Sequence, residues 1–579
     1  MRSRCSYSVG EVVTLAFLAL LAPAASRAAA VSPPVVFFTD LQSGPVTGGE
    51  QGLGVFVTLY GEGFGAVRGD SSVTFGGVEV ARYVSWGEDV APRDLDRIVV
   101  QPGPAVTAGP IVVTVDGESN VGQPFTVRAG GIYFVAVGGS DAGPGTLAQP
   151  WATVAHAEET IGAGDTVYVR DGVVETGEDA FEASLSIEAG GSDGLPKAIV
   201  AYPGATATIG STALSYGVRV PNIGVAPTDL VIAGLRLRGL TSALDVGGDG
   251  ASRWRIVGND LSCPLGDGQT GCFVASLASF IVLLGNDIHD VSQQGPQPSK
   301  QYHAVYITTD TNWVSVGWNH IHDNRTCRAI QFHSSPLCVP ECGPNDTTGF
   351  NQYGLDVFSN RIDGDVCDGV NFATVDPSQG LVRAWDNVIT RVGAGPDPPD
   401  GAANYDGIYV AGATNNGPAG SGQVEVFHNT LVDCGAAQGS PSTDRGAFGR
   451  GPGSPALTVR LRDNVVVQEA GEPYLAPTGE PALFNGSHNL WFGNGPAPAG
   501  FTNDLAVDPL FLDPFDRDYR LAPGSPAIDS GVAAGAARDY RGVSRIAVPV
   551  DRGAFEWNGE LFADSFESGD TSRWSAGAP

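Results

Sequence analysis

Short apolar runs separated by polar turns dominate residues 250–495. FIVLLG, WVSVGW, GLDVFS, LVRAWD, QVEVFH and LTVRLR each lead into an asparagine that is followed two places later by an apolar residue. The pattern recurs at Asn259-Asp-Leu261, Asn286-Asp-Ile288, Asn319-His-Ile321, Asn360-Arg-Ile362, Asn387-Val-Ile389, Asn429-Thr-Leu431, Asn464-Val-Val466 and Asn489-Leu-Trp491, at intervals of 25 to 42 residues. Further runs such as HAVYI, RAIQF, DGVNF and DGIYV stand between repeats. Three short strands per repeat and one recurring turn asparagine predict a parallel β-helix; the shortest interval is one coil, and the longest is a coil plus a loop.

Coils stacked about 4.8 Å apart place identical positions in ladders. A buried asparagine can then pair its amide with its neighbours and with turn backbone, satisfying groups that are costly unpaired. The apolar residue two places after each asparagine points inward, so the next one points outward. His289, His322 and Asp363 therefore form a surface column beside Asp290, Asp323 and, just past Gly364, Asp365. Crowded carboxylates repel unless a cation intervenes, and oxygen-rich clusters suit calcium. Asp290, Asp323, Asp363 and Asp365 are thus candidate metal ligands, with calcium the candidate cofactor. N-x-I-H-D is equally good turn chemistry for a chain leaving its strand, and both readings stay open at this point.

HAVYIT, RAIQFH, DGVNFA and DGIYVA align so that Val305, Ile330, Val370 and Ile408 face inward. Tyr306, Gln331, Asn371 and Tyr409 then project outward as a column, with Thr308 and His333 one step along. Aromatic and amide side chains in a groove suit sugar rings and hydroxyls, which makes the four the candidate substrate-binding residues. Long loops at 290–302, 391–405 and 433–445 border this face, and loops on a rigid scaffold commonly carry function.

Upstream, residues 33–128 show short alternating runs broken by Gly and Pro, the pattern of a small β-sandwich. Around 150–161, Trp151, Val154, Ala155 and Ile161 follow Pro150 at near-helical spacing and predict one short amphipathic helix. A helix there would cap the open end of the first coil.

The 80 glycines, 40 prolines and 16% charged residues fit a chain of turns and strands. A net charge of −31, with Lys197 and Lys300 the only lysines, argues against a nucleic-acid partner. Arg2, Arg4, the apolar run 12–22 and Ala28-Ala29-Ala30 predict a secretory leader cleaved near Ala30, and no later run is long enough to span a membrane. Of the seven cysteines beyond the leader, Cys263–Cys272 and Cys338–Cys342 would each close a short loop. Cys327 and Cys367 follow their asparagines by eight and seven places. The coil spacing falls within disulfide Cα separations of roughly 4.4–6.8 Å, which predicts that bond as well. Cys434 is left over.

G-E-G-F-G, V-T-F-G-G and G-P-I-V-V-T-V-D-G-E-S-N resemble the IPT/TIG immunoglobulin-like family across 33–128. The order G-x-D, P-W-A-T-V, G-D-T-V-Y-V and Y-P-G resembles the opening of secreted right-handed parallel β-helix proteins of the pectate-lyase-like kind, including family-nine polysaccharide lyases, and the resemblance implies a right-handed coil here. DPLFLDPFDRDYRLAPGSPAIDSG resembles the closing segment of such proteins. These resemblances divide the chain into a leader (1–30), an Ig-like unit (33–128), a β-helix (131–500), a closing segment (504–556) covering the last coil, and a tail (557–579).

The lyase resemblance implies β-elimination from a uronic-acid glycan, which needs a base and a cation to neutralise the carboxylate. The family's strand lysine has no counterpart in Asp368–Val375. Lys300 is the substitute base, with Arg325 or Arg328 as charge partner and His333 beside them. Two readings follow. In one, an exported monomer binds an extracellular polysaccharide and cleaves it by calcium-assisted elimination. In the other, the protein is a non-catalytic surface or adhesion molecule with two recognition modules.

Overall fold

The structure, a computed structural model, describes residues 33–559 apart from 90–94, 120–121, 222, 249, 335–350, 413–418, 437–443, 452–454, 477–482 and 547–548. The expected leader, the Cys338–Cys342 pair and nearly all of the tail lie outside the described residues.

Three parallel sheets wind around one apolar interior. The first has 12 strands, from Ile132–Val135 to Phe484–Ser487. The second has 11 short strands, from Val174–Glu175 to Leu490–Phe492, and the third has nine, from Ala183–Ser186 to Arg445–Arg450. Each coil contributes one strand to each sheet in turn, which is a parallel β-helix. Its core is a single cluster running from Val135 to Trp491.

The asparagines form one continuous ladder. Asn286 Nδ2 donates to Asn319 Oδ1 at 2.9 Å, and Asn319 Nδ2 to Asn360 Oδ1 at 2.9 Å. The series continues through Asn387, Asn429 and Asn464 to Asn489, whose backbone N–H donates to Asp504 at 2.9 Å. Each amide also donates to a carbonyl of the preceding coil, as Asn319 does to Leu283 O at 3.0 Å. The residue before each asparagine sits in the left-handed region even where it is not glycine. Trp318, Ser359, Asp386, His428, Asp463 and His488 have φ between 50° and 60°, a conformation that the ladder bonds must hold against steric cost.

The predicted helix is present but starts later than Pro150. It spans Val154–Thr160, capped by Thr153, whose Oγ1 accepts from His156 N at 3.2 Å. Asp141 holds the residues before it by accepting from Ala152 N and Thr153 N, so Trp151 pairs with Val135 as strand instead. Val154, Ala157 and Ile161 plug the open end of the core.

An N-terminal β-sandwich, with sheets of four and six strands, lies against the outer face of the first sheet. Tyr168, Val200, Val231, Val257 and Leu284 point out of the coil into the sandwich core, and Tyr168 Oη donates to Phe56 O at 3.0 Å. The second sheet is covered differently. Its outward residues are polar at Asp287, His289, His320 and His322 but mostly apolar from Val388 onward, with Thr390 and Thr430 the exceptions. The C-terminal segment does more than close the last coil. After Leu505 bridges Leu490, it turns back so that Tyr519 and Tyr540 cover Val388 and Val432, while Leu521 and Ala527 cover Val465 and Leu490. Apolar outward residues left in water are the physical reason for that path.

Cys263–Cys272 and Cys327–Cys367 are bonded, with Cα separations of 5.7 and 4.6 Å. Cys434 is free and buried. Among the described residues no helix is long and apolar enough to cross a membrane.

Candidate functional site

The outer face of the third sheet carries the cavity. The strands His303–Thr308, Arg328–His333, Val370–Phe372 and Tyr405–Val410 stack in register. Val305, Ile330, Val370 and Ile408 face the core, and Tyr306, Gln331, Asn371 and Tyr409 form the outward column expected from the sequence. A second column, Thr308, His333, Ala373 and Ala411, lies one step along. A third precedes them, because Ala304 and Val305, and Ala329 and Ile330, are consecutive inward residues, with Gly369 and Gly407 at the matching place before Val370 and Ile408. This break in alternation turns His303, Arg328, Asp368 and Asp406 outward as well.

The first two columns, with His303 and Arg328 of the third, line a cavity of about 640 Å³, walled by Lys300, Gln301 and Asn404 from the loops and by Gln269. The volume is that of an ordinary small-molecule or sugar site. Lys300, Arg328 and His333 come together here as expected. Arg325 does not: it is not among the lining residues, and its guanidinium donates to Gly295 O at 3.0 Å.

Several lining groups are buried without a hydrogen-bond partner: Gln331 Oε1, Asn371 Oδ1 and His303 Nδ1. Buried polar atoms normally find partners, so orphans at a cavity wall mark where a ligand or water belongs. Tyr306 Oη lies 3.5 Å from His333 Nδ1. Burial, then the charge of Arg328, holds His333 below the ordinary imidazole value, and His303 is held well below it for the same reasons. Both rings are neutral at neutral pH. Burial raises the Tyr306 phenol, keeping its proton.

Beneath the cavity floor lies a charge cluster that reading by alternation missed. Arg328 Nε donates to Asp368 Oδ2 at 2.9 Å, Asn371 Nδ2 donates to the same oxygen at 2.5 Å, and Asp406 N donates to Asp368 Oδ1 at 2.9 Å. The Asp406 carboxyl is fully enclosed and raised well above the usual carboxylate range, first by burial and then by Asp368 and Asp444. It lies over Gly449, where an added Cβ would stand 2.1 Å from Oδ2. The repeated D-G of DGVNF and DGIYV was the available signal for this pair. No carboxylate lines the cavity among the described residues.

The second-sheet column is also in the expected register, His289 beside His322 and His322 beside Asp363. The four predicted carboxylates, however, are partnered separately. Asp290 contacts His289 at 2.8 Å and Asp323 contacts His322 at 2.7 Å. Asp363 is held by Arg361 at 3.0 Å, and Asp365 is buried, accepting from Thr326 Oγ1 at 2.8 Å. They do not build the cage of roughly six to eight oxygens that calcium takes.

No protein-family profile matches the chain. A stretch of 115 residues is 30% identical to the uncharacterized protein YwoF of Bacillus subtilis (strain 168), covering 20% of this chain and 23% of that protein. The chain thus spans less than a quarter of that curated relative's length. Among solved structures the chain is similar to pectate lyase Pel9A, at 13% identity over 74% of this chain and 96% of that one, with a TM-score of 0.47. It is also similar to XylC in complex with xylose (11% identity, 73% and 98% covered, TM-score 0.44) and to a rhamnogalacturonan lyase (14% identity, 66% and 90% covered, TM-score 0.37).

Proposed function

We propose that this protein is an exported lyase that binds a uronic-acid polysaccharide across the third-sheet cavity and cleaves it by β-elimination. One observation carries the reading. In a chain of net charge −31, the described cavity wall holds Lys300, Arg328, two neutral histidines and orphaned amide oxygens, and no carboxylate. An acidic sugar suits such a wall, whereas hydrolysis by a pair of exposed carboxyl groups has no residues there to perform it.

Lys300 and Arg328 neutralise the sugar carboxylate, which acidifies the neighbouring C–H. The neutral imidazole of His333 takes that proton, the C–H electrons form the C=C bond, and the glycosidic C–O bond breaks. Tyr306 gives its proton to the departing oxygen and recovers one from solvent. Gln331, Asn371 and Tyr409 hold the ring. His333 replaces Lys300 as base because its ring is neutral and bonded to Tyr306. The sandwich, an IPT/TIG-like module on this reading, braces the coil. Two disulfides accord with an oxidising compartment.

The test is product chemistry on a panel of uronic-acid and neutral polysaccharides. Elimination yields unsaturated, ultraviolet-absorbing ends. New reducing ends without that absorbance would mean hydrolysis, and glycan binding with no cleavage would support the adhesion reading instead.

A further inference from the structure

On the second sheet, away from the cavity, one ligand atom from each of Asp287, His320 and His322 lies within 4.8 Å of the others. We infer that these three side chains form a binding site for a divalent transition-metal ion of the zinc class, bridging two adjacent coils. Asp287 comes from one coil and both histidines from the next, where the alternation of His320-Ile321-His322 sends the two rings out on the same face.

The donor geometry fits. Asp287 Oδ1 lies 3.0 Å from His322 Nε2 and 3.8 Å from His320 Nδ1. Metal–ligand bonds of about 2.0–2.1 Å at tetrahedral angles set donors about 3.3 Å apart, a value that these two distances bracket. Two imidazoles and one carboxylate suit zinc and its neighbours rather than calcium.

The independent sign of a ligand is His320 itself. Its residue is 5% exposed, and its Nδ1 has no hydrogen-bond partner. The other nitrogen, Nε2, lies 3.3 Å from Asp363 Oδ2. That carboxylate fixes the tautomer with the proton on Nε2 and leaves the Nδ1 lone pair facing Asp287. His322 is oriented the same way, with Nδ1 2.7 Å from Asp323. Carboxylates holding the far nitrogens of metal-bound histidines are the usual supporting shell. His289, one rung earlier, is flanked in the same way by Asp260 and Asp290, at 3.0 and 2.8 Å, but the position matching His320 on that rung is Asp287, so that rung lacks a second imidazole. The side chains of Asp287 and His322 are each 19% exposed, so a water can complete the fourth position.

The experiment is zinc titration of the chelator-stripped full chain by calorimetry, with bound metal counted after dialysis. The expected result is one equivalent of zinc and a raised Tm. His322→Gln, at the more exposed ligand, abolishes binding while leaving the far-ultraviolet circular dichroism unchanged. Asp323→Asn weakens it by about 10–100-fold, and Asp290→Asn, outside the triad, has no effect. Absence of stoichiometric zinc in the unmodified protein, or retention of it by His322→Gln, overturns the site.

Discussion

Arg328 and Asp368 meet at 2.9 Å across two adjacent coils, and the residues just before them, Cys327 and Cys367, are joined by a disulfide. The covalent bond and the ion pair therefore fix the same two strand starts, directly under the cavity. Asp368 is fully buried and Arg328 nearly so. Truncating one partner of such a pair strands the other charge. Asp368→Ala is expected to cost about 3–5 kcal/mol, read as a lower urea midpoint at unchanged m-value.

The two disulfides should contribute unequally. Cys327–Cys367 spans 40 residues and Cys263–Cys272 spans nine. Chain entropy alone assigns about 4 kcal/mol to the longer loop and about 3 to the shorter. Denaturation of the Cys327→Ser/Cys367→Ser and Cys263→Ser/Cys272→Ser proteins checks the order. The first should be the less stable.

Asn319 accepts from Asn286 through both backbone N–H and Nδ2, and it donates to Asn360 and Leu283. Asn319→Ala leaves several buried groups unpaired and releases the left-handed turn at Trp318. A loss of about 3 kcal/mol is expected, visible as a lower thermal midpoint. Asn319→Asp should be destabilising too, since a carboxylate cannot donate to Asn360.

Asp365 provides a pH test. Burial pushes its carboxyl up to about 8, against hydrogen bonds from Thr326 and Val366. Because the folded value lies above the unfolded value of about 4, the neutral acid's stability is fully present below about pH 4. It is lost as pH rises towards about 8. Asp365→Asn, neutral throughout, should match the parent near the acid end and become the more stable protein near pH 8. Parallel pH-dependent melting curves would contradict this.

Much of the coil was legible because side-chain periodicity and the asparagine spacing act locally, and stacking turns local repetition into ladders. The column Tyr306, Gln331, Asn371 and Tyr409 followed from strict alternation. Asp368 and Asp406 were hidden by the break in that alternation at the strand starts, although the repeated D-G marked the place. The return path of the C-terminal segment was hidden for another reason. Val388, Val432 and Val465 are outward and apolar by the alternation about their asparagines, but nothing in the local pattern says which later segment covers them. His320 stands in its repeat as Asn319-His-Ile321 but was given no place in the stacked column. Its Nε2 partner is Asp363, 43 residues away, a pairing that the local motif does not show.

The central claim, that the third-sheet cavity eliminates a uronate with His333 as base, is tested most directly by one rate comparison. Unsaturated product is followed at fixed uronic-acid polysaccharide for the unmodified protein and for His333→Ala, with matched circular dichroism. The account predicts that His333→Ala is slower by at least about 100-fold, with polysaccharide affinity retained through Lys300 and Arg328. Equal rates in the two proteins would contradict it.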